Sequence, residues 1–232
     1  MTKSTRLQLP RLATRPIGQA IGFQVAGEFL LGRVPLQRPL QLIGDVAQVA
    51  EHGRVDGQFD VADAVAEYGG PGGWNDLDML IVGLKGKGHI PGGGLSPLEA
   101  QTHMSLWVIA CSPLMIGCDM RTLDSETAAL LTNSEVLAVN QDSLGVPGRR
   151  AKRTGPLEVW KKPLADGTLA VALVNRSSKG ADISVRAGEL GLLDSTKLVR
   201  NLWKKEDIAD FGETLTHRVE PHETILLKVT SS

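Results

Sequence analysis

The sequence predicts an α/β segment followed by an all-β domain. Two patterns carry that prediction. Between residues 76 and 140, short apolar runs alternate with capped helical stretches in the order strand, loop, helix, strand, helix, which is the grammar of a parallel α/β fold. Beyond residue 155 the period changes to about six short alternating segments separated by turn residues, the pattern of an antiparallel β-sandwich. A length of 232 residues allows one large domain or two ordinary ones.

Composition is globular, 42% hydrophobic and 22% charged. A net charge of -1 gives no electrostatic case for nucleic acid or an acidic membrane surface. No apolar run reaches transmembrane length. Basic residues open the chain at Lys3, Arg6, Arg11 and Arg15, but Pro16, Gln19, Gln24 and Glu28 interrupt the next stretch. That makes a poor signal peptide and leaves the localisation open. Cys111 and Cys118 lie in apolar surroundings and read as buried thiols. They are too few for a metal site, and no metal or cofactor is expected.

Residues 1 to 60 stand apart. They hold six Arg and one Lys, against eight Arg and ten Lys in the remainder, with seven Gln and no Trp, Tyr, Asn or Cys. Prolines and glycines chop them, and no clean period appears before residue 40. This region reads as an atypical N-terminal extension, disordered or translated from a shifted frame. From Leu42 to Tyr68 a helical pattern emerges, with Gly53 and Gly57 expected to break it in two.

Next comes Gly69-Gly70-Pro71-Gly72-Gly73-Trp74-Asn75-Asp76-Leu77-Asp78, a backbone that must turn sharply, leading into the apolar run Met79-Leu80-Ile81-Val82. It fits a tight turn entering a buried strand, with aspartates that only bond the loop; the sharper reading is the rim of an active site. The glycine-rich residues 83 to 95 lack the lysine and hydroxyl ending of a phosphate loop and read as a loop over a site. Ser96-Pro97-Leu98-Glu99 is a capping box with proline at the first helical position. The helix carries Met104, Trp107, Val108 and Ile109, includes His103 as a packed or surface histidine, and is expected to end at Pro113. Leu114 to Cys118 reads as a short buried strand closed by Asp119 and Arg121, Asp124 caps a helix through Leu131, and Ser134 to Val139 forms another.

Gly145-Val146-Pro147-Gly148 with Arg149, Arg150, Lys152 and Arg153 marks a boundary, the basic cluster reading as a solvated linker. The strands expected beyond it are Leu157–Trp160, Thr168–Val174, Ala181–Val185, Lys197–Leu202, Leu215–Val219 and Thr224–Val229. His217 and His222 have no ligand-spaced partners and read as surface residues.

With those residues in hand, the chain closely resembles glycoside hydrolase family 27, the α-galactosidases and α-N-acetylgalactosaminidases. The resemblance is carried by Gly70-Pro71-Gly72-Gly73-Trp74-Asn75-Asp76-Leu77-Asp78-Met79-Leu80, Trp107, Pro113-Leu114, Gly117-Cys118-Asp119, Arg121 and the run Glu135 to Gly145. In the β domain it continues at Leu157 to Trp160, Val174-Asn175-Arg176, Leu202-Trp203 and Val219 to His222. Leu77 departs from the family's usual proline and implies a local change in the turn.

The resemblance implies the C-terminal portion of a (β/α)8 TIM barrel over residues 61–148 and an antiparallel β-sandwich over 155–232. A complete barrel needs about 250 residues, so only its last two strand–helix units are expected here. It also implies an α-galactosidase acting on terminal α-D-galactosyl residues by a retaining mechanism with two carboxylates about 5–5.5 Å apart. The family's nucleophile lies in a Tyr-x-Lys-x-Asp-x-Cys stretch that does not occur in this sequence. Its acid/base aspartate lies in a Thr-Gly-Asp-Ile stretch, against which Ile43-Gly44-Asp45-Val46 places Asp45 as the candidate. Asp78 and Met79 match positions lining the galactose pocket; Trp74 and Asp76 belong to the same substrate loop, Asp76 in a structural role. The expected partner is an α-galactoside carbohydrate, with neither nucleic acid nor membrane, and an oligomer is compatible with the sequence. The alternatives are a non-catalytic carbohydrate-binding or interaction fragment, and a product without function.

Overall fold

The structure, a computed structural model, describes residues 56–86, 93–192 and 197–231. Asp45 and the N-terminal region before residue 56 lie outside the described residues, as do 87–92 of the glycine-rich loop.

Helix α1 (Asp56–Val65) continues into a 3-10 turn, Ala66–Tyr68. Gly57, expected as a break, lies within the helix. Burying Phe59 and Ala62 outweighs the roughly 1 kcal/mol that a helical glycine costs. Helix α2 (Pro97–Ile109) starts as expected: Glu99 N–H donates to Ser96 Oγ, and Ser96 N–H donates to the Glu99 carboxylate. It is buried almost all round, so it runs through the core rather than over it. It ends before Pro113. Cys111 adopts φ 56°, Ser112 N–H donates to Trp107 O at 2.9 Å, and Cys111 N–H donates to Val108 O at 3.2 Å. This is a Schellman cap with cysteine in the usual glycine place, and it satisfies the last carbonyls ahead of the proline.

The two buried strands expected at Met79–Val82 and Leu114–Cys118 are corrected to a single parallel bridge, Leu80 to Ile116. Leu80 N–H donates to Met115 O, and Gly117 N–H donates to Leu80 O. Leu80 and Val82 are buried, but Met79, Met115 and Ile116 are 50%, 45% and 40% exposed. Each segment pairs with one neighbour over one residue, too little to build a ladder with two covered faces. Helices α3 (Ser125–Leu131) and α4 (Ser134–Asn140) come next, capped by Asp124 and Asn133.

The β region holds eight strands among the described residues: β1 (Arg149–Thr154), β2 (Leu157–Pro163), β3 (Leu169–Asn175), β4 (Ala181–Arg186), β5 (Lys197–Asn201), β6 (Glu206–Phe211), β7 (Thr214–Val219) and β8 (Thr224–Ser231). A one-turn helix, α5 (Ala187–Leu190), joins the β4 end. All pairings are antiparallel, in a six-stranded sheet ordered β1-β2-β3-β8-β5-β6 and a two-stranded sheet β4-β7.

Period-2 alternation divides the large sheet's side chains between two cores. Trp160, Ala170, Ala172, Val174 and Leu226 face the helices and share one core with Phe59, Leu80, Met104 and Trp107. Val159, Val171, Leu173, Ile225, Leu227 and Val229 face β4 and β7. Because both faces are covered, β3 reads as a continuous apolar run.

The basic cluster read as a linker is edge strand β1. Charge is what hid it, and charge compensation holds it: Arg150 NH2 donates to Asp60 at 2.6 Å and Arg153 NH1 to the same carboxylate at 2.9 Å. Buried Glu158 accepts from Arg176 at 2.7 Å and from Trp160 Nε1 at 2.8 Å, with Arg150 Nε 3.1 Å away but out of line for a hydrogen bond. These contacts also tie α1 to the sandwich. Gly148 closes the junction: its N–H donates to Ile109 O at 2.7 Å, and a Cβ there would sit 2.7 Å from that oxygen.

Candidate functional site

The loop ahead of the parallel bridge is built on a tight turn. Gly70 and Gly73 exchange two backbone hydrogen bonds of 2.9 Å around Pro71 and Gly72, and Gly72 takes φ 102°. Proline then glycine at the central positions suits a type II turn. The turn is tied back to the segment before β1. Trp74 Nε1 donates to Gly145 O at 3.0 Å, Pro71 and Trp74 pack around Gly145, and Pro147 sits against Gly69. Asn75 Nδ2 donates to Val65 O at 2.6 Å, tying the loop to the end of α1. Trp74 nevertheless leaves nearly half its surface, 47%, in solvent.

The two aspartates come after it. Asp76 Oδ1 accepts from Asp78 N–H at 2.9 Å, a side-chain turn that closes the loop on itself. Asp78 adopts φ 74°, a left-handed conformation that aspartate, like glycine and asparagine, visits more readily than other residues. Its Oδ1 accepts from Met79 N–H at 2.7 Å, with no other hydrogen bond to that carboxylate among the described residues. Met79 is half exposed and lies beside Gly117, where a Cβ would stand 3.4 Å from Met79 Cβ and 2.9 Å from Leu80 O. The structure thus brings Trp74, Asp76, Asp78 and Met79 into one short, partly exposed loop: two carboxylates beside an indole and a thioether. That combination suits a polyhydroxylated ring, with acceptors for hydroxyls and apolar surface for C–H faces.

Behind the loop lies α2. Leu77 N–H donates to Ser112 Oγ at 2.9 Å, a bond the proline usual in the family cannot make. Trp107 Nε1 donates to Asp78 O at 2.8 Å, and Ile81 N–H donates to His103 Nε2 at 3.2 Å. His103 stacks on Trp107 with ring centroids 3.9 Å apart, and burial pushes its pKa down to about 3, so the ring is neutral. It is a packed histidine, and it also accepts from the site segment. Asn140 Nδ2 donates to Ser112 O at 2.9 Å and bears on Trp107 O, holding the helix cap from α4. The sequence reading assigns none of these residues to the support of the loop. The spacing of His103 and Trp107, four apart on one helical face, is the signal that points to them.

Asp119 accepts from Arg121 through Nε at 2.9 Å and NH2 at 2.7 Å on the exposed surface, forming a pair as the sequence suggested. No group of three or more metal-ligating side chains occurs among the described residues.

The chain matches known proteins over most of its described length. Residues 44–142 match a family model described as alpha galactosidase A, and residues 154–229 match the alpha galactosidase C-terminal beta sandwich domain. An α-galactosidase of Oryza sativa subsp. japonica is 41% identical over 188 residues, covering 81% of this chain and 42% of that protein. The chain therefore spans about two fifths of that relative's length. Among solved structures, α-galactosidase I from Mortierella vinacea is 32% identical with a TM-score of 0.67, over 74% of this chain and 43% of the other. A GH27 β-L-arabinopyranosidase from Geobacillus stearothermophilus is 34% identical with a TM-score of 0.69, over 75% and 41% respectively.

Proposed function

Because this chain belongs to the α-galactosidase family, glycoside hydrolase family 27, as the C-terminal part of its barrel with the β-sandwich, we propose that it supplies one wall of a retaining α-galactosidase site. The observation that carries this reading is the loop Trp74–Met79, whose backbone is bent at Asp78 into a left-handed conformation and braced against α2. A left-handed aspartate in a partly exposed loop that also carries an exposed indole and thioether supports a binding position. In this reading Asp78 accepts from galactose hydroxyls. Met79 and Trp74 offer apolar surface to the ring, and Asp76 shapes the loop through its bond to the Asp78 amide. Asp45 serves as acid and then base. The family match begins at residue 44, so Asp45 falls inside it. The nucleophile belongs to a stretch this sequence does not contain, and the double displacement needs it.

That last point favours a second reading for the 232-residue chain taken alone, a carbohydrate-binding fragment without turnover. An aryl α-galactoside assay together with galactose titration decides between them. Turnover lost in Asp45→Asn supports the enzyme. Galactose binding without turnover, lost in Asp78→Ala, supports the binding fragment. Neither turnover nor binding in a folded chain sinks both.

A further inference from the structure

The segment Leu77–Ile81 is pinned from behind by three side chains of α2 and its cap: Ser112 Oγ on the Leu77 amide, Trp107 Nε1 on the Asp78 carbonyl and His103 Nε2 on the Ile81 amide. All three side chains are at most 1% exposed, so on the helix side these bonds are shielded from water. The remaining bonds of Asp78, from its own amide to Asp76 and from Met79 to its carboxylate, lie within the loop and fasten it to nothing else. The left-handed backbone at Asp78 is disfavoured by its Cβ, less so than for most residues, and the hydrogen bonds around it hold it there. Among the described residues, the hydrogen bond from outside the loop that reaches Asp78 is that of the Trp107 indole.

We propose that Trp107 is a positioning residue of the sugar site. Its buried N–H holds the Asp78 carbonyl, keeps Asp78 left-handed and so aims the Asp78 carboxylate and the Met79 side chain toward the ligand. Ser112 is the second pin, one residue upstream, and Asn140 steadies both through their carbonyls. The inference rests on the sugar-binding reading for its ligand but not for its geometry.

Removing the N–H while keeping an aromatic ring tests it. The 232-residue chain, labelled with 13C and 15N, is studied as wild type, Trp107→Phe, Ser112→Ala and Trp203→Phe. Trp203 is the control, since its indole donates to Ser105 Oγ of the same helix, at 3.0 Å, and makes no hydrogen bond to the loop among the described residues. Backbone carbon shifts of Asp78 report its dihedral angles, and galactose titration reports the site. Trp107→Phe is expected to move Asp78 out of the left-handed region and to weaken galactose binding about tenfold, the worth of one buried hydrogen bond. Ser112→Ala is expected to act in the same direction, and Trp203→Phe to leave both readouts at wild type. Asp78 remaining left-handed in Trp107→Phe, or an equal loss of galactose binding in Trp203→Phe, overturns the proposal. If wild type takes up no galactose while Trp107→Phe still turns Asp78, the sugar reading has failed and the pin stands. If Trp107→Phe does not fold, Trp107→Met, which fills core space without an N–H, takes its place, and Asp78 remaining left-handed there overturns the proposal.

Discussion

His103 shows how one buried ring couples the site to pH. Its Nε2 accepts from Ile81, so its proton sits on Nδ1, which has no partner among the described residues. Adding a second proton would place a charge in the core, and burial therefore lowers the pKa from 6.5 to about 3. As pH falls from 6.5 the unfolded chain takes up the proton and the folded chain does not. The stability from this group is complete above pH 6.5 and lost progressively toward pH 3, a loss of about 2 kcal/mol already by pH 5. Carboxylates held low act later: hydrogen bonds from Lys228 and Thr168 bring Asp166 to about 2, so its share is lost only below 3.8. Urea titrations between pH 6.5 and 5 are expected to show the decline in wild type and a nearly flat line in His103→Gln; equal slopes would remove the assignment.

Among the elements, β1 was the hardest to foresee. Four basic residues in Arg149–Arg153 read as a solvated linker because sequence does not reveal which acids will face them. Asp60 lies ninety positions from Arg150, yet folding brings them to 2.6 Å. Strand β6 escaped for the same reason, with Glu206, Asp207 and Asp210 masking its alternation. By contrast α2 and α3 announced themselves through capping residues, which act within four positions. The ion-pair group yields a prediction of its own. Glu158 is fully buried beside Arg150, Arg176 and Trp160, so Glu158→Ala removes the acceptor of Arg176 and of the Trp160 indole, leaves Asp60 to both arginines, and is expected to cost roughly 1–3 kcal/mol in chemical denaturation. A change below about 1 kcal/mol would mean that the cluster is solvated like an ordinary surface pair.

At the scale of the molecule, helices and sandwich share a core rather than meeting at a boundary. Trp160, Ala172 and Leu226 of the large sheet pack with Phe59, Met104 and Trp107, and Gln101 and Thr102 of α2 hydrogen-bond to residues 222–224. Residues 149–232 produced alone are therefore expected to expose an apolar sheet face, bind a hydrophobic dye and lose cooperative unfolding. The 232-residue chain should melt in one transition. Independent cooperative folding of 149–232 would show the shared core to be incidental.

Local grammar determined much of this protein: the capping boxes, the glycine–proline turn, the alternating strands of the sandwich and the family signature around Asp76–Leu80 are all short-range chemistry. Tertiary structure alone decided what holds that signature in shape. The parallel run proved to be a single bridge, the linker a strand, and the backing of Asp78 an indole twenty-nine positions away. Side chain-to-backbone hydrogen bonds across such separations leave no period in the chain, because their geometry exists only once α2 is packed behind the loop.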